Sequence, residues 1–266
     1  WTDAPMARAT GEVVYVDASP QVVRLLGEMA LPAAMRVHAG DPSPARLREL
    51  LAPARVVLNG HTYMSAGDLA AAPHLERIVF LGTGASSYID LDAAAARGIA
   101  VETIRNYGDR AVAQHAVALA LAALRRIAPM DRALRRGEWE PLAGREFQDL
   151  TFGVVGLGGI GRAAASLAAG LGFRVLGWNR TPLPDAPCAL APLDALLERS
   201  DVVSLHLALT PQTSGLIGAQ ALARMRPDAV LVNTARAGLV DTGAMRAALE
   251  SGRLAHGALD VFDLEP

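Results

Sequence analysis

Gly156-Leu157-Gly158-Gly159-Ile160-Gly161 is the stretch of this sequence whose residue types most directly imply chemistry. It matches G-x-G-x-x-G, which alone is a weak signal in a chain with 25 glycines. Its setting strengthens it. An apolar, strand-like run at 152–155 precedes it and an alanine-rich helical run at 162–169 follows. In that setting Gly156 permits a tight turn, Gly158 lets the backbone approach a pyrophosphate, and Gly161 lets helix and strand pack closely. The free N–H groups and the positive pole of the helix then attract the anion. Gly156, Gly158, Gly159, Ile160 and Gly161 are therefore expected to bind a dinucleotide.

The next strand, expected at 174–178, should end beside the adenosine ribose. A site for NAD carries an acid there, which accepts from the 2′-hydroxyl. Here the residues are Asn179-Arg180-Thr181. Asn179 removes the charge that would repel a 2′-phosphate, while Arg180 offers a guanidinium fork and Thr181 a hydroxyl. These types point to NADP(H), with NAD(H) as the alternative. Asp185 lies beyond two prolines and is poorly placed for the ribose. Arg236 follows a short apolar strand and sits among small residues, where an uncompensated charge is costly unless it binds an anion. An ion pair with Asp241 or Asp260 is the competing explanation.

Short apolar runs alternating with Ala/Leu-rich helical runs must position these residues, and that rhythm implies parallel sheets. Strands are expected at 12–16, 35–38, 55–58, 77–81 and 99–102. Helices are expected at 20–29, 44–51 and 90–97, the last with Asp90 as its N-cap. This first series suggests a flavodoxin-like sheet. A polar stretch at 105–110 reads as the hinge. The nearly all-apolar run at 111–127 reads as a long helix buried on most sides, serving a domain crossing or a subunit interface. A charged helix at 131–137 and an irregular link at 139–149 lead to a second series, with strands at 152–155, 174–178, 202–206, 230–233 and 257–261. The fold class is α/β, with two doubly wound parallel-sheet domains: a flavodoxin-like substrate domain (1–104) and a Rossmann cofactor domain (105–266).

Composition narrows the chemistry further. All 25 basic residues are arginine. The absence of lysine excludes Schiff-base chemistry and a Walker-type phosphate loop, so any cationic anchor must be an arginine. Net charge is −2, which leaves no electrostatic footprint for nucleic acid or an anionic membrane. The single cysteine, Cys188, excludes an internal disulfide and fits a reducing, cytoplasmic setting. No apolar run approaches the roughly 20 residues of a membrane span, and no His/Cys/Asp cluster has metal-ligand spacing.

From about Val56 onward the sequence resembles the D-isomer-specific 2-hydroxyacid dehydrogenases. The motifs that carry the resemblance begin with Phe80-Leu-Gly82-Thr-Gly84-Ala-Ser-Ser-Tyr-Ile-Asp90, Ala96-Arg-Gly-Ile-Ala-Val101 and Ala111-Val-Ala-Gln-His115. The glycine loop and Asp201-Val-Val-Ser-Leu-His206 follow. Leu231-Val-Asn-Thr-Ala-Arg236-Ala-Gly-Leu-Val-Asp241 and Ala258-Leu-Asp260-Val-Phe-Asp-Leu-Glu265-Pro266 complete the set. The resemblance implies hydride transfer between a nicotinamide cofactor and a small 2-oxo or 2-hydroxy acid. It implies that Arg236 holds the substrate carboxylate and 2-oxo group, and that Thr83 and Gly84 bind the carboxylate through their N–H groups. Asp260 would contact the nicotinamide carboxamide, and Glu265 would raise the pKa of the catalytic histidine. His206 and Thr234 would lie near the cofactor, His206 as a satisfied strand-end histidine. His61, in the loop after the third strand, is a candidate to touch substrate.

The sequence departs from the family pattern at Ala208, where proline is usual, and at Gln114, where glutamate is frequent. The family's acid/base histidine belongs to a Pro-His motif beyond the Glu-Pro pair, and the sequence given stops at Pro266, without the helix that returns to the first domain. A segment carrying both is expected beyond it. The competing functional readings are dehydrogenation of phosphoglycerate, formate or phosphite on the same scaffold, and a non-enzymatic dinucleotide sensor or corepressor. The apolar 111–127 helix and Trp139 suggest a homodimer.

Overall fold

The structure, a computed structural model, describes residues 12–29, 35–82, 84–104 and 106–263. The chain divides into two compact units, Trp1–Tyr107 and Gly108–Pro266.

The first unit is built on β1 (Glu12–Ala18), β2 (Met35–Ala39), β3 (Ala54–Asn59), β4 (Arg77–Phe80) and β5 (Ala100–Thr103). All pair in parallel, in the order β2-β1-β3-β4-β5, which is the flavodoxin-like winding. Its helices are α1 (Pro20–Gly27), α2 (Pro44–Leu51), α3 (Ala66–Ala70) and α4 (Leu91–Ala96). Ser-Pro steps start α1 and α2. The Ser19 and Ser43 hydroxyls accept from backbone N–H groups, and each proline takes a position where its missing N–H costs nothing. Val14, Val16, Leu51, Val57, Leu69 and Ile78 are buried between sheet and helices. The sequence pattern missed α3, because five residues are too few to show a helical period. Its signal was the capping box of Ser65 with Asp68.

The second unit carries β6 (Thr151–Val155), β7 (Arg174–Trp178), β8 (Ala189–Leu190), β9 (Val202–Leu205), β10 (Val230–Asn233) and β11 (His256–Leu259). They form one parallel sheet, β11-β10-β9-β6-β7-β8. The order reverses between β6 and β9, the switch point of a Rossmann fold. Around it lie α5 (Asp109–Leu124), α6 (Ile127–Arg135), α7 (Gly159–Gly170), α8 (Leu193–Arg199), α9 (Ala219–Arg224) and α10 (Thr242–Glu250). β9 and β10 are buried along their whole length, which explains their unbroken apolar runs. The α/β class with two parallel sheets thus holds.

The 111–127 expectation needs correction. The helix stops at Leu124, and Arg126 takes a left-handed conformation before α6 begins. Only one stripe of α5 is buried, formed by Ala113, Ala116, Val117, Ala120 and Leu124. Ala111 and Ala118 are exposed. Alanine is small enough to suit either environment, so an Ala-rich run overstates how much of the helix is covered. Among the described residues, no single helix is long and apolar enough to cross a membrane.

Candidate functional site

Strand register creates one row of residues in the second unit. Val155 pairs with Trp178 and with Leu205, and Asn233 pairs with Leu205 and with Leu259. The next residue on each strand is Gly156, Asn179, His206, Thr234 or Asp260. Five of the cofactor-site candidates therefore follow one another along the carboxyl edge of a parallel sheet, where such sheets bind their ligands.

Each loop glycine has its own reason to lack a side chain. Gly156 has a φ of 98°, and a β-carbon there would lie 2.6 Å from the His206 carbonyl oxygen. Its N–H donates to the Trp178 carbonyl at 2.8 Å, tying the turn to β7. A β-carbon on Gly161 would lie 1.9 Å from the Gly156 carbonyl oxygen, so α7 could not pack this close with any larger residue. Gly158 is different, for nothing lies within 4 Å of its missing β-carbon. It precedes α7 with no side-chain cap. The first N–H groups of α7 thus lack a side-chain cap, as an anion site requires. Gly159 and Ile160 are the first two residues of that helix.

At the end of β7, Asn179 accepts from the Leu157 N–H at 3.2 Å and donates to the Thr181 carbonyl at 2.9 Å. It joins the glycine loop to the 179–181 turn without adding charge. Arg180 and Thr181 are exposed, and among the described residues Arg180 forms no ion pair. Asp185 is engaged elsewhere, since Arg162 binds its carboxylate at 2.9 Å and its carbonyl at 3.0 Å. That contact holds the Asp185 carboxyl below its ordinary pKa.

On the other side of the switch point, the His206 N–H donates to the Val155 carbonyl at 2.8 Å. Its ring Nε2 lies 2.9 Å from the Ser204 hydroxyl. Burial pushes the His206 pKa down to about 4, so the ring is neutral at pH 7 and unsuited to donate a proton there. The Thr234 hydroxyl is buried and has no hydrogen-bond partner within the protein. Such an orphan within the row fits contact with a ligand. Asn233, absent from the sequence-based candidates, shapes the following turn. Its amide donates to the Arg236 carbonyl at 2.9 Å and accepts from the Ala235 N–H at 3.0 Å. Arg236 is half-buried and extended, with one Nη donating to the Ala235 carbonyl at 2.7 Å. Of its two suggested ion-pair partners, Asp241 caps α10 through the Ala244 N–H, and Asp260 meets His115 at 3.2 Å.

Residues 117–266 match the NAD binding domain of the D-isomer specific 2-hydroxyacid dehydrogenases. Over 265 residues the chain is 34% identical to a glycerate dehydrogenase of Methylorubrum extorquens, covering 97% of this chain and 82% of that protein. The chain belongs to the D-isomer specific 2-hydroxyacid dehydrogenase family. It is also 38% identical over 211 residues to a glyoxylate reductase of Thermococcus litoralis, covering 74% of this chain and 63% of that one. A D-3-phosphoglycerate dehydrogenase of Mycobacterium leprae is 40% identical over 217 residues, 79% of this chain, which spans only 41% of that protein. Among solved structures, D-lactate dehydrogenase from Aquifex aeolicus, complexed with NAD and lactic acid, superposes with a TM-score of 0.83 at 28% identity. The match covers 95% of this chain and 77% of that one. An acyclic imino acid reductase in complex with NADPH and D-Arg gives 0.85 at 25%, over 96% and 84% of the two chains. As a family member the protein is an NAD(P)-dependent oxidoreductase acting on small 2-oxo and 2-hydroxy acids.

In the first unit of this 2-hydroxyacid dehydrogenase, Gly84 has a φ of 88° and starts a short 3₁₀ turn, Ala85–Ser87. Thr83 and Glu265 lie outside the described residues. The His61 ring is exposed, with Nε2 2.6 Å from Asp41 and Nδ1 3.6 Å from Asp17. Asp17 organises the loop after β3. Its fully buried carboxylate accepts from the N–H groups of Gly60, His61 and Thr62 and from the Thr62 hydroxyl, at 2.6 to 2.9 Å. An aspartate closing the apolar run of β1 was the available signal, and the sequence reading passed over it.

Proposed function

We propose that this protein is an NADP(H)-preferring reductase of a small 2-oxo acid of the glyoxylate type, with Gly156, Gly158, Gly159, Ile160, Gly161, Asn179, Arg180, Thr181, His206, Thr234 and Asp260 forming the cofactor site. The row of strand-end residues carries the reading. Its β7 end supplies an uncharged amide and an exposed guanidinium, and the nearest alternative acid, Asp185, is occupied by Arg162. Those features suit a 2′-phosphate better than a bare 2′-hydroxyl. The named activities of the glyoxylate reductase and glycerate dehydrogenase relatives support a two- or three-carbon substrate.

In this reading the bound nicotinamide supplies the hydride that reduces the substrate's carbonyl carbon. Arg236 holds the substrate carboxylate and 2-oxo oxygen with its planar fork, and stabilises the charge that develops on that oxygen. Thr83, Gly84 and His61 are assigned to the substrate within a first domain of residues 1–104, and the cofactor to a domain of 105–266. Glu265 is assigned to support the acid/base histidine that the family carries in its Pro-His motif. The exposed alanines of α5 and the exposed Trp139 support a homodimer. The single cysteine is in keeping with a cytoplasmic setting.

Arg180→Ala tests the cofactor choice. Its KM for NADPH should rise at least tenfold, about 1.4 kcal/mol, while that for NADH stays within about twofold. Equal changes for the two cofactors would overturn the NADP(H) assignment.

A further inference from the structure

One carboxylate lies against the phosphate loop, and the hydride-transfer scheme gives it no task. Asp109 is the first residue of α5. A β-carbon placed on Gly159 would lie 1.7 Å from Asp109 Oδ2 and 2.6 Å from its carboxyl carbon. The Asp109 carboxylate therefore fills the space that a side chain at Gly159 would need. It stands at the first turn of α7 as well as at the start of its own helix, so two positive helix poles attract it. Among the described residues no arginine or histidine pairs with it. Beside it, Gly158 is open and α7 lacks a side-chain cap. A negative group thus stands beside Gly159, at the first turn of the helix whose N–H groups should receive a diphosphate, without bonding to any of them.

We propose that Asp109 competes with the cofactor's diphosphate for the positive end of α7, and so weakens dinucleotide binding and speeds release. This rests on placing the diphosphate at Gly158–Gly159–Ile160–Gly161, as proposed above. The carboxylate attracts no ligand. It stands beside the anion seat and repels the arriving phosphates, or swings away as they enter. Because the diphosphate is common to both cofactors, the effect falls equally on NADH and NADPH, unlike that of Arg180.

The test is Asp109→Asn, which keeps shape and removes charge. Titration of the intact protein with NADH and with NADPH should show both dissociation constants falling on the order of tenfold. Their ratio should stay unchanged, and stopped-flow release of each should slow by a similar factor. Unchanged or weaker binding of both would overturn the role of Asp109. So would a change confined to one cofactor. Gly158→Val, which fills the open space over the loop, separates the two layers of the argument. If it binds both cofactors normally, the diphosphate does not sit on this loop, and the role of Asp109 falls with that placement. If Gly158→Val is defective while Asp109→Asn binds as wild type, only the role of Asp109 falls.

Discussion

The two units hold their loops in opposite ways. In the first, a side chain caps every α-helix among the described residues: Ser19 for α1, Ser43 for α2, Ser65 for α3 and Asp90 for α4. The loop after β3 is likewise bound by the buried Asp17 carboxylate. Among the described helices of the second unit only α10 is capped, by Asp241, while glycine, proline or arginine precedes the other five without a capping bond. The first unit uses its loop donors internally, for rigidity. The second leaves donors unspent at the end of β6, where its sheet changes direction. An uncapped helix forgoes about 1 kcal/mol of stabilisation, and at α7 that forgone bond is what a ligand can supply.

Four substitutions would sharpen or break this contrast. Arg236→Ala removes the group proposed to hold the substrate, and should lower kcat/KM about a thousandfold, near 4 kcal/mol, with thermal unfolding little changed. A variant that unfolds but turns over normally when folded would make Arg236 a structural residue. Asp17→Ala removes the acceptor of four hydrogen bonds in the first unit and should cost about 3 kcal/mol of stability by urea unfolding. A loss under about 1 kcal/mol would show that the loop does not depend on that carboxylate.

His206 lies between these extremes, being part of the row yet satisfied internally. Its folded pKa of about 4 lies below the ordinary 6.5, so the folded state favours the neutral ring. That stabilisation is complete above pH 6.5 and is lost as pH falls from 6.5 toward 4. Between pH 7 and 4.5 the native protein should lose about 2 kcal/mol more than His206→Gln. Parallel stability–pH curves for the two proteins would argue against a buried, neutral imidazole. The smallest expected effect is that of Ser43→Ala, about 1 kcal/mol from one lost cap on α2. No measurable cost would weaken the claim that capping distinguishes the first unit.

Much of this was legible from residue types alone. The glycines announced a strand-to-helix turn because their demands are local: a positive φ at Gly156 and a close packing contact at Gly161. The strands were legible because a parallel sheet covered on both faces needs continuous apolar runs, as in Val202–Leu205 and Val230–Asn233. Asn179 and Arg180 declared a charge pattern that needs no coordinates to read. What remained hidden depends on contacts between residues distant in sequence. Asp17 binds a loop more than forty positions away, Asp109 reaches Gly159 across two helices, and Arg162 takes up Asp185. Strand register alone aligned Gly156, Asn179, His206, Thr234 and Asp260. Local preference and periodicity act over a few residues and are written into the sequence. Which carboxylate meets which donor depends on how the elements pack, and only the tertiary structure decides that.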